Sequence, residues 1–460
     1  MRAERPVTTA ARGGFEHARE VPLWAALFGR RTRRVSRGLS FDSGALTFPA
    51  THDPEPLSPV EEAMLVAATG VSGIAIPDNP YRSETGEPLT GTVLLRSTAL
   101  TVPSPDNAHA THVFMWNDEG VYLIKHPDEE TAPLDVGGMS DDALVAYVDG
   151  LKIKLADGRL EFPHRFPFEL HRNRFASNVP GSTLFMPVLD LTEQYINGLL
   201  LLFSQADGMR PLVRDDFNLY RPAGLRPFVR SGYLNPDLPL PLSLIGKNIT
   251  EFEALFVLQN LALTAEAMGL GGWVHWAPPP LVLLGDFPES RGLGFRFVEP
   301  EIRGALRKRL APAVRLRRKL RPFPVALPNP VGLDGHIEAF CPPYYENMDA
   351  AVDAVLAKKF SSNGLYRDPR YFSRVVKPEL TPQFLDEVPA YPDEAIACVR
   401  AVCNYVYDTY GRFPAHTTAI HAPSTWFQAH HSETDYYDAF YEGALSDTVA
   451  NHQRIWHGED

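Results

Sequence analysis

The chain has 460 residues, 44% of them hydrophobic and 22% charged, an ordinary globular composition with length for two or three domains. Its net charge of −12 argues against general nucleic-acid affinity, which rests on neutralising phosphates. Three cysteines (Cys341, Cys398, Cys403) supply no disulfide framework and fit a reducing cytoplasm. Residues 1–20 hold no apolar leader, and no stretch reaches the roughly 18 apolar residues of a membrane span.

In chain order, residues 1–20 are polar and read as a flexible arm. Val21–Phe28 is a short apolar helix that runs into Arg30-Arg31-Thr32-Arg33-Arg34. Guanidinium groups bind phosphate in a bidentate fashion, so this is a candidate anion site, with a solvated basic turn as the plainer alternative. Leu57–Gly73 predicts a helix capped by Ser58, with Glu61 completing a capping box three residues on. The segment 74–96 is polar and turn-rich. Pro103, Ser104 and Asn107 then form a proline turn ahead of His109. Thr111–Trp116 and Gly120–Lys125 are β-rich runs that read as a hairpin. Asp141–Leu151 predicts a helix, Phe162–Asn178 an aromatic and basic loop, Leu184–Leu189 a buried strand, and Leu191–Ser204 an apolar helix.

Thr250–Met268 predicts the central helix, with Thr250 and Glu253 as its capping box and Gly269 as its stop. Phe252, Leu255, Phe256, Leu258, Leu261 and Met268 spread round most of its circumference, which predicts burial on nearly every side. Gln259, Asn260, Thr264 and Glu266 are polar exceptions that need partners. Gly271 and Gly272 follow, then Trp273, His275 and Trp276.

Beyond Pro280, Glu301–Arg321 reads as a basic surface helix kinked at Pro312, and Phe323–Gly335 as a proline-rich joint. Asn347–Lys359 and Asp393–Tyr410 predict amphipathic helices. His416, His421, His430, His431, Glu433 and Asp435 cluster near the end of the chain. Imidazole and carboxylate suit zinc or iron, but the spacing fits no ordinary ligand pattern and no metal is assigned.

Three segments together resemble nitroreductase-like flavoproteins: Arg-Arg-Thr-x-Arg, Pro-Ser-x-x-Asn, and a central helix with Gln259-Asn260-Leu261 that ends in Gly269-Leu270-Gly271. The Leu57–Gly73 helix and the Gly120-Val121-Tyr122 strand are most similar to the SagB-type branch of azoline dehydrogenases. The resemblance covers roughly residues 25–300 and implies an α+β fold: a central, mostly antiparallel sheet flanked by helices. It implies FMN as cofactor, with Arg30, Arg31, Thr32 and Arg34 at the phosphate and ring edge. Ser104, Asn107, Gly271 and Gly272 would also stand against the flavin. His109 and His275 become candidate proton relays.

The implied activity is two-electron hydride transfer to or from a small-molecule or peptide substrate, with NADH or NADPH as a candidate electron donor. Relatives are intertwined homodimers that share the flavin site, so a homodimer is implied, with no nucleic-acid or membrane partner. The domain reading is an arm (1–20), a flavin-binding domain (21–300), a connection (301–335) and a helical C-terminal extension (336–460) that could act as a lid. A metal-dependent enzyme using the C-terminal histidines and a redox-inactive binding protein are the alternatives.

Overall fold

The computed structural model describes residues 14–458, apart from 79–81, 87–93, 127–130, 132, 136, 205–209, 216–222, 243–246, 301–327 and 415–416. The expected basic helix at 301–321 and His416 lie outside the described residues. The chain runs α1 (Gly14–Glu20), α2 (Leu23–Gly29), α3 (Pro59–Ala67), β1 (Val71–Ile74), β2 (Thr98–Leu100), β3 (Thr111–Trp116), β4 (Gly120–Ile124), α4 (Asp141–Leu151), β5 (Lys152–Asp157), β6 (Thr183–Asp190) and α5 (Thr192–Ser204). It continues through β7 (Leu212–Asp215), α6 (Arg226–Arg230), β8 (Asn235–Pro241), α7 (Lys247–Met268), β9 (Gly271–His275), α8 (Pro280–Leu284) and β10 (Arg296–Val298). The C-terminal part comprises β11 (Asn329–Leu333), β12 (Ile337–Glu338), α9 (Met348–Phe360), α10 (Pro369–Phe372), α11 (Thr381–Glu387), α12 (Asp393–Tyr410), β13 (Ile420–His421), β14 (Trp426–His430), α13 (Thr434–Phe440) and α14 (Asp447–His452). A π-helical turn, Gln453–His457, extends α14.

The fold is α+β. A seven-stranded antiparallel sheet has the order β5-β4-β3-β6-β14-β9, with β13 also pairing β6. Alternation along the strands fills two cores. In β3, Val113 and Met115 face a core shared with α3, α4 and α7, while Phe114 and Trp116 face one shared with α5, α9 and α12. Helices therefore cover both faces of the sheet, which is why every residue of β6 is buried.

Several local expectations are met. Ser58 and Glu61 form the capping box of α3, and Asn347 caps α9 through the Ala350 amide. Gly269 holds φ +77°, and a Cβ there would meet the Thr448 carbonyl oxygen at 2.2 Å. Other expectations change. Residues 14–20 of the expected arm form α1, with Phe15 in the α3–α7 core. Part of the expected joint is strand β11. The central helix starts at Lys247, three residues before the expected cap at Thr250, and Glu253 is buried and spent on Ser104 and Thr111 instead.

Helix α7 is also not covered all round. Phe252, Leu255 and Phe256 are 53%, 51% and 40% exposed, because its neighbours (α1, α2, α3, α14 and strands β3, β6, β9, β14) leave this stripe open. The exposed Leu23, Trp24, Leu27 and Phe28 of α2 belong to a helix packed on the same α7.

Residues 336–460 are not an extension resting on a finished domain. Strand β14 lies between β6 and β9, with Trp426 in one core and Phe427 in the other. Removing two such aromatic side chains alone costs on the order of 3–5 kcal/mol each. A lid role for the whole segment is excluded by this pairing. A chain ended at residue 335 is expected to lose its cooperative thermal transition and near-ultraviolet circular dichroism. A truncated chain that melts cooperatively near the full-length temperature would contradict this topology.

Candidate functional site

The arginine segment leaves α2 in extended conformation, and one residue of it turns inward. Arg33 is 1% exposed and its Nη2 donates to Glu266 Oε2 at 2.7 Å and to the Leu270 carbonyl at 3.2 Å. Glu266 also accepts from the Arg31 amide (3.2 Å), Ser446 Oγ (2.8 Å) and Thr448 Oγ1 (3.2 Å). The polar exception in the central helix thus finds its partners, and they fix the segment that carries the other arginines.

With Arg33 pinned, Arg30, Arg31, Thr32 and Arg34 are exposed. Arg30, Arg31 and Thr32 line a cavity of about 130 Å³ against Ala262, Glu266, Gly272 and Trp273. Arg31 through Val35 also border a larger cavity of about 480 Å³, walled by Phe41, Phe175, Tyr436, Tyr437 and Tyr441. The Arg34 guanidinium lies 5.7 Å from both the Phe175 and Trp273 ring centres, and among the described residues no carboxylate pairs with it. The larger volume falls in the range of small-molecule sites, roughly 300–1,000 Å³. Trp273, which lines the smaller cavity, has its Nε1 buried without a hydrogen-bond partner among the described residues.

The two glycines have a packing reason of their own. A Cβ on Gly271 would come within 2.6 Å of His430 Nε2 and Ser432 Oγ, and one on Gly272 within 2.5 Å of the Phe427 ring. Gly272 lines the smaller cavity, whereas Gly271 is closed in by β14.

The Pro-Ser-x-x-Asn loop stands elsewhere. Asp106, Asn107 and His109 hold φ of 56°, 47° and 44°, a left-handed backbone uncommon outside glycine. Asn107 Nδ2 donates to the Arg96 and Thr98 carbonyls (2.7 and 2.9 Å), and Ser104 Oγ donates to Glu253 Oε1. Both side chains that were expected at a flavin are engaged in holding their own loop. Glu253, which anchors this loop, and Glu266, which anchors the arginines, are thirteen residues apart on α7. At a rise of about 1.5 Å per residue that is roughly 20 Å. Among the described residues the arginines and His109 line separate cavities.

The two histidines expected as proton relays stand in different surroundings. His275 stacks on Trp273 at 4.0 Å, and burial pushes its pKa down to about 3. His109 is lowered to about 4 by burial and then by the Arg96 guanidinium. It lines a separate cavity of about 130 Å³ with Arg96, His112 and Glu193. In both, burial favours the neutral imidazole.

The C-terminal cluster does not assemble as one site either. His421 pairs Glu251 at 3.3 Å, Glu433 pairs His52 at 2.6 Å, and His430 faces Gly271. His431, one residue on, meets Glu61 instead, since successive residues of an extended chain point to opposite sides. The tyrosines of the large cavity lie beside that cluster in sequence, at Tyr436 and Tyr437. Their adjacency to it is the sequence signal for them. No family model and no curated protein matches the chain.

Two outcomes check this site. Glu266→Gln or Arg33→Met leaves one buried charge without its partner and is expected to cost about 3–5 kcal/mol in denaturant unfolding, whereas exposed Arg34→Ala stays within about 0.5 kcal/mol. Equal losses for the two classes would contradict the inward and outward assignment.

His275 binds its proton near 6.5 when unfolded but only near 3 in the fold. Between those values the unfolded state holds more protons, so stability falls as pH drops through 6.5, by roughly 2 kcal/mol at about pH 5. His109, His112, His430 and His452 are lowered in the same way, so His275→Phe is expected to remove only its own share of that slope, and an unchanged slope would place the titration on the others.

Proposed function

We propose that this protein is an FMN-dependent oxidoreductase of nitroreductase-like fold that works as a homodimer. It would transfer a hydride to or from a small-molecule or peptide substrate, with NADH or NADPH as the candidate electron donor. The observation that carries the reading is the convergence of exposed Arg30, Arg31, Thr32 and Arg34 on the end of α7 and on Gly272 and Trp273, beside an aromatic-walled cavity.

The donor set suits the group. Guanidinium groups that no carboxylate neutralises among the described residues, and a hydroxyl, match a phosphate, which would take over from the Phe28, Gly29, Arg30 and Gly443 carbonyls now accepting from Arg31 and from the Arg30–Thr32 contact; aromatic walls match a planar ring system. Bound there, flavin would supply the redox chemistry. Arg30, Arg31 and Arg34 would anchor and neutralise the phosphate, and Trp273, Phe175 and Tyr436 would exclude water from the ring.

The homodimer reading explains the distance between the two motifs. A two-fold axis perpendicular to a helix packs its face against its own copy in antiparallel fashion. The open stripe of Phe252, Leu255 and Phe256 lies at the Glu253 end of α7, beside the anchor of the Ser104–Asn107 loop. An antiparallel pair of α7 helices that crosses midway between Glu253 and Glu266 would carry the loop of one copy toward the arginines of the other, with the stripe at the edge of the contact. The exposed residues of α2 would add to the apolar area covered.

The test begins with an absorbance spectrum of purified full-length protein, with FMN added if none is bound. A flavin band is expected, lost in folded Arg30→Ala/Arg34→Ala and bleached by NADH or NADPH. Sedimentation is expected to give a dimer, and Leu255→Glu with Phe256→Glu a monomer of much weaker flavin affinity. A folded dimer that takes up no FMN would remove the flavin reading and leave a binding protein. A monomer that holds flavin would remove the shared site.

A further inference from the structure

Outside the arginine cavity, the densest set of unused chemistry gathers residues from three distant parts of the chain: Glu55 and Glu61, His431, and His452 with His457. The last two stand five residues apart, which on an α-helix would turn them about 140° from each other. The π-helical turn after α14 changes this, because its repeat places residues five apart nearly above one another. The ring centres of His452 and His457 are 5.2 Å apart, and His431 lies 5.3 and 4.8 Å from them. One ring nitrogen from each of the three falls within 4.8 Å of the others.

The outer nitrogens are oriented. His452 Nδ1 lies 2.8 Å from the Met268 carbonyl, which can only accept, so Nδ1 donates and Nε2 keeps its lone pair. Glu55 offers Oε1 to His457 Nδ1 at 3.3 Å and Oε2 toward His431 Nδ1 at 3.7 Å. Arg37 in turn braces Glu55 at 2.7 Å. A carboxylate or carbonyl behind the imidazole is the arrangement that orients metal-binding histidines.

Inside this ring of supports, Glu61 Oε1 lies 2.9 Å from His431 Nε2 and 3.4 Å from His452 Nε2. The Nε2 atoms of His452 and His457 are buried with no hydrogen-bond partner among the described residues. Glu61 is 1% exposed, and among the described residues no lysine or arginine pairs with it.

The geometry points to a divalent metal site in which His431, His452 and His457 are the ligands, Glu61, beside His431 and His452, completes the set, and Glu55 orients two of the imidazoles. Three imidazoles and one carboxylate suit zinc in tetrahedral coordination. Bonds of about 2.1 Å put tetrahedral ligands roughly 3.4 Å apart, so the imidazoles close by about 1 Å around the ion. Four protein ligands leave no open position, which makes the role structural. The ion would tie α14 and the chain end to α3. Helix α14 carries Thr448, one of the hydroxyls on Glu266, so the ion would steady the arginine segment as well. The site does not depend on the flavin reading.

The test uses the full-length protein. Metal content is measured by plasma mass spectrometry as purified, then zinc is titrated calorimetrically and cobalt spectroscopically after dialysis against chelator. About one zinc per chain is expected, with a chelator-induced fall in melting temperature that zinc reverses. His457→Gln, near the chain end, is expected to abolish zinc-dependent stabilisation while near-ultraviolet dichroism confirms the fold. Glu55→Gln is expected to weaken zinc by about 10–100-fold. A folded wild type that takes up neither zinc nor cobalt overturns the site, as does zinc affinity unchanged in both variants.

Discussion

The buried pair of Arg33 and Glu266 is the interaction on which the arrangement at the arginine cavity depends. Taking both charges out of water is costly, and only their mutual attraction with further hydrogen bonds offsets it. Those further bonds come from three parts of the chain: the Arg31 amide, the Leu270 carbonyl, and the hydroxyls of Ser446 and Thr448. The pair therefore joins the N-terminal segment, the end of α7 and the start of α14. It also fixes direction. With Arg33 held inward, Thr32 and Arg34 on either side of it are exposed. A run of four arginines, which looks like uniform positive charge, is in the fold one structural cation beside three exposed ones.

Strand β14 imposes the second constraint. It completes the sheet between β6 and β9, so the C-terminal third is built into the cores that begin with β3. This was not legible in Trp426–His430, five residues buried on both faces that carry no hydrophobic alternation and include Gln428 and His430. Both polar side chains are buried, and Gln428 is spent on the Asn178 amide (3.0 Å) and the Ala176 carbonyl (2.8 Å) of the aromatic and basic loop. A strand whose polar groups serve long-range partners looks, in sequence, like a polar connection.

What was legible follows the range of the interaction. The Ser58–Glu61 box, the β3–β4 hairpin, the Asn347 cap and the Asp393–Tyr410 helix are all settled within a few residues, and all stand where the pattern put them. The same residues mislead when they have a second, distant role. Glu61 gives Oε2 to the Ser58 amide and Oε1 to His431 and His452, so its capping function hid its other half. Glu253, which in sequence looks like the same motif, is used at long range alone. The clustered histidines show the reverse. Close in sequence, His421, His430 and His431 part company on strands, while His431, His452 and His457 meet only because the chain end turns as a π-helix.

Helix α7 acts as a ruler for the whole question of function. Its two buried glutamates hold the two motifs of the proposed flavin site about 20 Å apart, and the helix between them is rigid. No side-chain rotation closes such a gap. Either the motifs serve different purposes, or a second chain brings them together. The covering of α7 bears on this choice. Had the helix been buried on all sides, as its composition alone requires, no second chain could reach it. Instead Phe252, Leu255 and Phe256 form an open stripe at its Glu253 end. An exposed apolar stripe of this kind is a candidate contact surface. The apolar residues that make the helix look central to a domain are thus divided between the core of one chain and the surface where a second copy is proposed to dock.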